Sequence, residues 1–572
     1  MKKILPALLL LCWISPASAG IEVWVHPWLK PISTGQAPPS MPESSIRIRT
    51  TPGEYEPACF AVRSDKIATV SVTLADGSSG PVLPGAWCEV RRVEPMEEKT
   101  QPKRLYKFSL PVELKPGRTQ FFWITVRPPE DTPAGIYNGK VVIGSESSTH
   151  GIDISVEVLP FRLQESPITG GVFMCLVDLP PGWYRDMKEH GLDAIQFFTW
   201  EWGIRGRETL GQSAEWALDA IKIKRDGERM VLDFTVMDEI MADLNEAGMK
   251  GPVIISLGND HHLFYECRIA RTFGIPIDTT EVKDGKRIIA PAISPRLDEL
   301  YCEGLRQLRD HWRSKKYPQE LVVLIYDEPT ERLLERHKSR FDLLKTVMPD
   351  TRVYGVVMNR RAWAEDMSDQ CDIIVSDGDY LGCRDAAFAH GLDYWVYSFP
   401  LDSVSKSRYR MGLMAWRSDA QATWFWMYNY WNYDPDGGAV YPHPDDPERL
   451  IRTTYWEGIR EGIDDIRYMA TARSLIEEAG AEAQWAAEKI DLIRESINPE
   501  VMITEERITQ IRDELIEIIL ALRTELRTEC DINSDGRADI RDAIALLLLA
   551  GSSPDDPRLD RNGDGICSIS DA

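Results

Sequence analysis

The sequence predicts a multidomain protein with an N-terminal β-sandwich, a central (β/α)8 barrel of the TIM type, a C-terminal helical hairpin and a closing pair of calcium-binding loops. Three observations carry this. Short apolar runs alternate with turn residues through the first part of the chain. Strand-like and helix-like periods then alternate over some 300 residues. Near the end a spaced pattern of Asp, Asn and Gly occurs twice. At 572 residues the chain exceeds one ordinary domain, and about two to four are expected. The boundaries read as a leader over 1–19, the sandwich over 20–166, the barrel over 167–476, a helical extension over 477–528 and the calcium-loop module over 529–572.

Composition narrows the function. An apolar content of 43% suffices for packed cores, and a formal charge of -24 argues against nucleic acid as the main partner. A neutral or amino-sugar ligand is compatible with it. Lys2 and Lys3, an apolar core from Ile4 to Ile14, and Ala17-Ser18-Ala19 before Gly20 form a cleavable export leader, too short for a membrane anchor. No later stretch is long enough to cross a bilayer. The mature protein is therefore expected to be secreted, periplasmic or at the cell surface. Removing Cys12 leaves Cys59, Cys88, Cys175, Cys267, Cys302, Cys371, Cys383, Cys530 and Cys567, scattered and odd in number. They form no disulfide scaffold and no zinc spacing, and most read as buried small apolar residues.

From Gly20 to about Glu165 the runs IEVWV, SIRIRT, CFAVRS, VSVTLA, QFFWITVRP, GKVVIG and IDISVEVLP are separated by PGE, ADGSSG and PPEDTPAG, a sandwich pattern. Such a module either binds carbohydrate or, more economically, packs against a catalytic domain. After Pro167 eight strands are predicted: Gly171 to Leu176, Ala194 to Thr199, Val253 to Leu257, Leu321 to Tyr326, Arg352 to Val357, Asp372 to Ser376, Tyr394 to Phe399 and Thr423 to Tyr430. Between them, Asp233 to Gly248 carries a helical stripe ending in glycine, and Ser294-Pro295 opens a helix as cap and first-turn proline. An open doubly wound sheet is the competing architecture, but no glycine-rich loop follows the first strand.

The centre of the chain is LVVLIYDEPT, Leu321 to Thr330. A strand buried on both faces stops at Asp327 and Glu328, and Pro329 precedes a helix. In parallel barrels the carboxyl ends of the strands build the active site. The other strand ends supply Trp200, Glu201, Asn259, Asp260, Asn359, Asp377, Tyr397, Trp426, Tyr428 and Trp431. Aromatic faces beside carboxylates and amides suit a sugar, whose C–H faces stack while its hydroxyls take directional hydrogen bonds. His261 and His262 lack the i, i+4 spacing of a metal pair and read as solvated loop residues. Consecutive carboxylates leave from one wall of a site, whereas a two-carboxylate retaining glycosidase places its pair about 5 to 5.5 Å apart across the sugar. The competing structural reading has Asp327 capping the next helix and Glu328 paired with Arg360 or Arg361.

A long helix is expected from Glu448 to Glu478, followed by helices near Ala481 to Ser496 and Thr504 to Thr528, with their charged faces solvated. In the last stretch, Asp531, Asn533, Asp535, Gly536, Asp539 and Asp542 occupy positions 1, 3, 5, 6, 9 and 12 of a calcium loop, and Asp560, Asn562, Asp564, Gly565, Ser568 and Asp571 repeat the pattern. The carbonyls of Arg537 and Ile566 complete the oxygen ligands of a hard divalent ion. Ca2+ is the expected cofactor of this module, and none is expected for catalysis.

With Asp at position 12 of both loops, and the apolar run Ala543 to Ala550 after the first, this module resembles a dockerin, which implies a cohesin-like partner. The second loop reaches Asp571, so a calcium-stabilised attachment module at the cell surface is an equal reading. Cys530 and Cys567 lie within the two loops and are candidates for a staple. The larger resemblance, over residues 20 to about 475, is to glycoside hydrolase family 123. It rests on GEYEPACFAV at Gly53 to Val62, PAGIYNGKVVI at Pro133 to Ile143, VEVLPFRL at Val156 to Leu163, YDEP at Tyr326 to Pro329 and WEGIREGIDDIRY at Trp456 to Tyr468. The resemblance implies a β-sandwich, a (β/α)8 barrel and an exo-acting β-N-acetylgalactosaminidase with a substrate-assisted retaining mechanism. It implies that Asp327 orients the 2-acetamido group and Glu328 is the acid/base. Two other readings are a glycosidase acting on β-N-acetylglucosamine or another glycoside, and a non-catalytic calcium-dependent glycan-binding surface protein.

Overall fold

The computed structural model describes residues 20–77, 80–94, 104–107, 111–146, 148–174, 176–177, 179–198, 204–205, 220–259, 262–281, 287–399, 403–429 and 438–530. Two sheets share the N-terminal core. The seven-stranded sheet contains Ile21–His26, Glu56–Ser64, Thr119–Val126, Cys88–Glu94 and Arg104–Tyr106, and the five-stranded sheet Ser45–Thr50, Thr149–Val158, Gly135–Ser145, Ala68–Asp76 and Val112–Leu114. Alternation decides which way each side chain goes. In Glu56–Ser64, Phe60 and Val62 pack against Ile143, Ile154 and Val156 of the other sheet, while Cys59 and Ala61 turn to the barrel side with Trp24, Phe121 and Trp123. A strand buried on both faces needs no polar alternate, which is why CFAV reads as a continuous apolar run.

Eight parallel strands close into a barrel in chain order: β1 Thr169–Met174, β2 Leu192–Phe198, β3 Val253–Ser256, β4 Leu321–Leu324, β5 Arg352–Val356, β6 Ile373–Ser376, β7 Asp393–Ser398 and β8 Ala422–Phe425. Each overlaps its predicted counterpart. β8 closes on β1 through pairs such as Thr169 with Ala422 and Val172 with Phe425. The interior is filled by Phe173, Leu324, Tyr354, Trp395, Tyr397 and Trp424, among others. At Gly171 a Cβ would lie 2.5 Å from the Trp424 ring, so the glycine makes room for that indole. The helix Thr235–Ala247 ends at Gly248 with φ 76°, and Pro295–Lys315 begins with Ser294 accepting from Leu297 N at 3.2 Å, both as read from the sequence. Cys59, Cys267, Cys302, Cys371 and Cys383 are buried, as small apolar residues are. Among the described residues no helix is long and apolar enough to cross a membrane.

Two features depart from the sequence reading. The segment expected to open a helix at Glu448 is a hairpin, Val440–His443 with Asp446–Thr453, and the helix runs Thr454–Ala479. Thr453 caps it, accepting from Trp456 N at 3.2 Å. The hairpin joins the edge of the seven-stranded sheet, pairing Arg452 with Leu105, so chain from beyond the barrel completes the N-terminal sheet. Burying an exposed sheet edge is the gain that overrides local helical pattern.

The second departure is the helix Thr454–Ala479 itself. Its charges were expected to be solvated, yet Glu457, Glu461 and Asp465 are fully buried. Cβ atoms at Gly458 and Gly462 would strike Val404 O at 2.7 Å and Arg408 O at 2.4 Å, so the helix Val404–Tyr409 presses directly on this backbone. The remaining faces meet cations. Arg91 reaches Glu457 at 2.7 Å from the sandwich, and Arg408 holds Asp465 through two contacts of 2.8 Å. Arg512, from the helix Glu505–Cys530, bonds Glu56 at 2.5 Å and Glu461 and Asp465 at 2.7 Å each. One guanidinium thus ties the sandwich, the barrel's last helix and the C-terminal helix together. Both C-terminal helices form, as Gln484–Glu495 and Glu505–Cys530, but the latter packs chiefly on Thr454–Ala479 rather than on its neighbour in sequence.

Burial outweighs Arg512 and Arg460 at Glu461 and lifts its carboxyl to about 7, whereas at Asp465 Arg408 and Arg512 overcome burial and hold it low. A carboxyl raised on folding stabilises the native state at low pH, and that contribution is lost as pH climbs from the ordinary glutamate value through 7. Wild type is therefore expected to lose melting temperature relative to Glu461→Gln between pH 5 and pH 8. Arg512→Met, which removes the cation shared by Glu56, Glu461 and Asp465, is expected to cost about 3–5 kcal/mol at pH 7 by denaturant unfolding.

Candidate active site

β4 sends Val322 and Leu324 into the barrel and Leu321 and Val323 outward. Regular pairing then stops, two residues earlier than predicted, and both Ile325 and Tyr326 pack in the layer between strands and helices. The Tyr326 hydroxyl donates to Glu266 on the helix Phe264–Phe273, and Arg336 also bonds that carboxylate. Arg340 adds a contact of 3.1 Å to Glu266 and one of 2.6 Å to Asp298. Burial alone would raise the Glu266 carboxyl, but Arg340 and Arg336 bring it below the usual range. The strand end is therefore clamped from behind by an ionised, fully bonded carboxylate.

The next two residues come back over the barrel. Asp327 N donates to Gly258 O at 3.0 Å, and Asp327 bridges to Asn259 beyond β3. Glu328 takes φ 49°, a left-handed conformation that costs a non-glycine residue about 1 kcal/mol or more. The turn carries its Oε1 to within 2.5 Å of the Tyr397 hydroxyl, which donates to it from β7. Met358 and Asp379, after β5 and β6, are also left-handed, with φ 54° and 44°.

Beneath the acids lie two buried phenols. Tyr397 is pushed above the usual tyrosine range by burial, then by Glu328, Asp377 and Asp327, and Tyr354 by burial, then by Asp327 and Glu328. Both carboxylates thus act on the same two rings. The Tyr354 hydroxyl has no hydrogen-bond partner among the described residues. Asp377, after β6, is half-buried, and burial raises its carboxyl despite Arg410 and the Tyr397 hydroxyl.

Five predicted residues therefore converge: Asp327, Glu328, Asn259, Asp377 and Tyr397. Asn259 shapes the wall rather than simply facing it, since its Oδ1 accepts from His262 N at 2.7 Å. Trp426 follows β8 and joins Met427 through a cis peptide, half-buried, with its ring 5.5 Å from Phe173, itself 6.0 Å from Tyr397. Asn359 is exposed at the rim beside Gly378. Tyr428 does not join them. It is fully buried with its ring 5.0 Å from Trp456, because the chain has by then turned into the layer under the helix Thr454–Ala479. Trp200, Glu201, Asp260, Trp431 and both calcium loops lie outside the described residues. The competing structural roles do not match the geometry: Thr330 precedes the first helical turn without a side-chain cap bond, Arg360 covers the Trp363 ring and Arg361 faces Glu365.

Tyr354, Phe399 and Glu266 were missed. Two-residue periodicity through RVYGV, with Val356 inward, would have placed Tyr354 in the barrel. Nothing in local sequence marks Glu266, whose partners are more than 30 residues away.

The arrangement is a closed parallel barrel with carboxylates gathered at the C-terminal ends of its strands, and comparison with known proteins places it among the glycoside hydrolases. The profile of the glycoside hydrolase 123 catalytic domain matches residues 183–472, and the chain belongs to that family. The structure is similar to that of a family 123 glycoside hydrolase from Clostridium perfringens, a protein described for glycolipid glycan hydrolysis. The TM-score is 0.66 at 12% identity, covering 89% of this chain and 99% of that one. A family 2 glycosyl hydrolase from Bacteroides cellulosilyticus (TM-score 0.27, 12% identity, 68% of this chain and 45% of that one) is too loosely similar to support any argument. So is a family 10 xylanase with an Ig-like domain from termite gut (TM-score 0.33, 8% identity, 60% and 90%). No curated protein matches the chain.

The Tyr397 hydroxyl is the bond that holds Glu328 in place. Tyr397→Phe is expected to lower kcat about tenfold or more on an aryl glycoside.

Proposed function

We propose that this protein is an exported retaining glycosidase that removes terminal β-linked 2-acetamido-2-deoxy sugars, N-acetylgalactosamine foremost, by substrate-assisted catalysis. The observation that carries the reading is that Asp327 and Glu328 are consecutive residues just past the end of β4, with Glu328 held by the Tyr397 hydroxyl. A pair so placed does not straddle an anomeric carbon as acid and nucleophile must. A substrate that brings its own nucleophile has no need of that.

In the first step the acetamide oxygen bonds to C1 as the C1–O bond to the leaving group breaks, and the Glu328 proton passes to the leaving oxygen. Asp327 accepts the acetamide N–H and balances the positive charge of the oxazolinium as it forms. In the second step Glu328 takes a proton from water, whose oxygen attacks C1 and reopens the ring with net retention. Tyr397 holds Glu328 in reach of both oxygens, and Trp426 with Phe173 offers an apolar wall for the sugar. Asp377 supports a second reading, a conventional two-carboxylate mechanism, because it too acts on Tyr397 from the next strand end.

The leader over 1–19 accounts for export. The loops starting at Asp531 and Asp560 would bind Ca2+ through the side chains already named, serving attachment to a cohesin-like or cell-surface partner. Calcium titration by calorimetry tests this independently of activity.

For the enzyme, Glu328→Gln is expected to lose about 1,000-fold in kcat/KM on substrates with poor leaving groups and far less on activated aryl glycosides. Asp327→Asn is expected to lose about 100-fold or more on every 2-acetamido substrate. A thiazoline mimic of the oxazoline should inhibit competitively. Absence of that inhibition, with Asp377→Asn as damaging as Glu328→Gln, would transfer the case to the two-carboxylate mechanism.

A further inference from the structure

Tyr397, which holds Glu328, touches aromatic rings of two kinds. Phe173 and the half-buried Trp426 beyond it pack with the barrel interior. Phe399 meets the Tyr397 ring at 5.8 Å and 66°, edge to face, and is 50% exposed at the C-terminal end of β7. A phenylalanine left half in water forgoes much of its burial gain, so folding stability does not account for it. Among the described residues directly adjoining the C-terminal ends of β4 to β8, it is the large apolar side chain most open to water.

Its position has a chemical meaning. A general acid stands between the bond it breaks and the group that departs. In the proposed reading the donor sugar takes the enclosed part of the mouth, over Tyr354, and the leaving group departs toward solvent. Phe399, half in water, is one ring contact away from the residue that holds the acid.

We propose that Phe399 is the platform of an aglycone subsite that stacks on the C–H face of a second pyranose, so that the enzyme selects glycans over simple glycosides. This rests on Glu328 being the acid. One isolated ring matches one sugar face, whereas an alkyl aglycone would need a longer apolar track than these strand ends provide. The surrounding rim, with Asn359 and Arg360 exposed, is polar as a sugar's hydroxyl edge requires.

The test compares a β-linked 2-acetamido disaccharide with the methyl β-glycoside of the same donor sugar, which lacks the second ring. In Phe399→Ala the ratio of kcat/KM for disaccharide over methyl glycoside should fall about tenfold, and Phe399→Trp should restore it. Alkyl glycosides of increasing chain length should show no such fall. An unchanged ratio, with loss equal on both substrates, would make Phe399 only a support for Tyr397 and overturn the proposal while leaving the glycosidase reading intact. A larger effect on long alkyl glycosides would overturn it in favour of a lipid aglycone. Failure of the wild-type protein to cleave either substrate would overturn the glycosidase reading, and this proposal with it.

Discussion

The acid pair is aimed by a residue that never touches the site. Glu266, buried and ionised, accepts from Tyr326, Arg336 and Arg340, and these bonds hold the end of β4 against the helices behind it. With Tyr326 pinned outward, the chain can present Asp327 and Glu328 only toward the barrel mouth. Buried ion pairs are a poor source of net stability, because desolvation consumes the Coulombic gain. Here the network's value is positional: it carries the strain of a left-handed Glu328 without letting the turn relax.

The same physics recurs at a larger scale around the helix Thr454–Ala479. Its glycines let a neighbouring helix approach backbone to backbone, and its carboxylates are met by arginines arriving from the sandwich, the barrel and the C-terminal helix. Together with the hairpin that extends the N-terminal sheet, this makes the sandwich part of the catalytic body rather than an appendage. That favours the packing role over the carbohydrate-binding role for the sheets, since one face of the larger sheet is covered by the barrel.

At the mouth, the aromatic interior of the barrel grades into an exposed rim. Tyr354 and Tyr397 lie buried beside the carboxylates, Trp426 is half-buried at one edge and Phe399 reaches water. Carboxylates above buried phenols experience weaker solvent screening than they would on an open surface, which strengthens their action on charge that develops at a bound sugar. The match to the glycoside hydrolase 123 catalytic domain, over residues 183–472, spans the strand ends that carry these residues.

Local sequence was sufficient for the barrel, because eight buried parallel strands must be apolar runs whatever surrounds them, and for the position of Asp327 and Glu328 just past a strand end. The cap at Ser294 and the stop at Gly248 were equally legible, being made by neighbours in the chain. Side-chain direction after a strand ends was not. Tyr326 and Tyr428 went to the helix layer and Tyr397 to the site, choices set by partners far away in sequence. Nor could the pattern EGIREGIDD reveal that its charges are buried, since a solvated face and an arginine-lined interior demand the same residues. Periodicity reports which faces differ. Only the tertiary structure decides what each face meets, because the partners that neutralise Glu266 and Glu461 come from other elements of the fold.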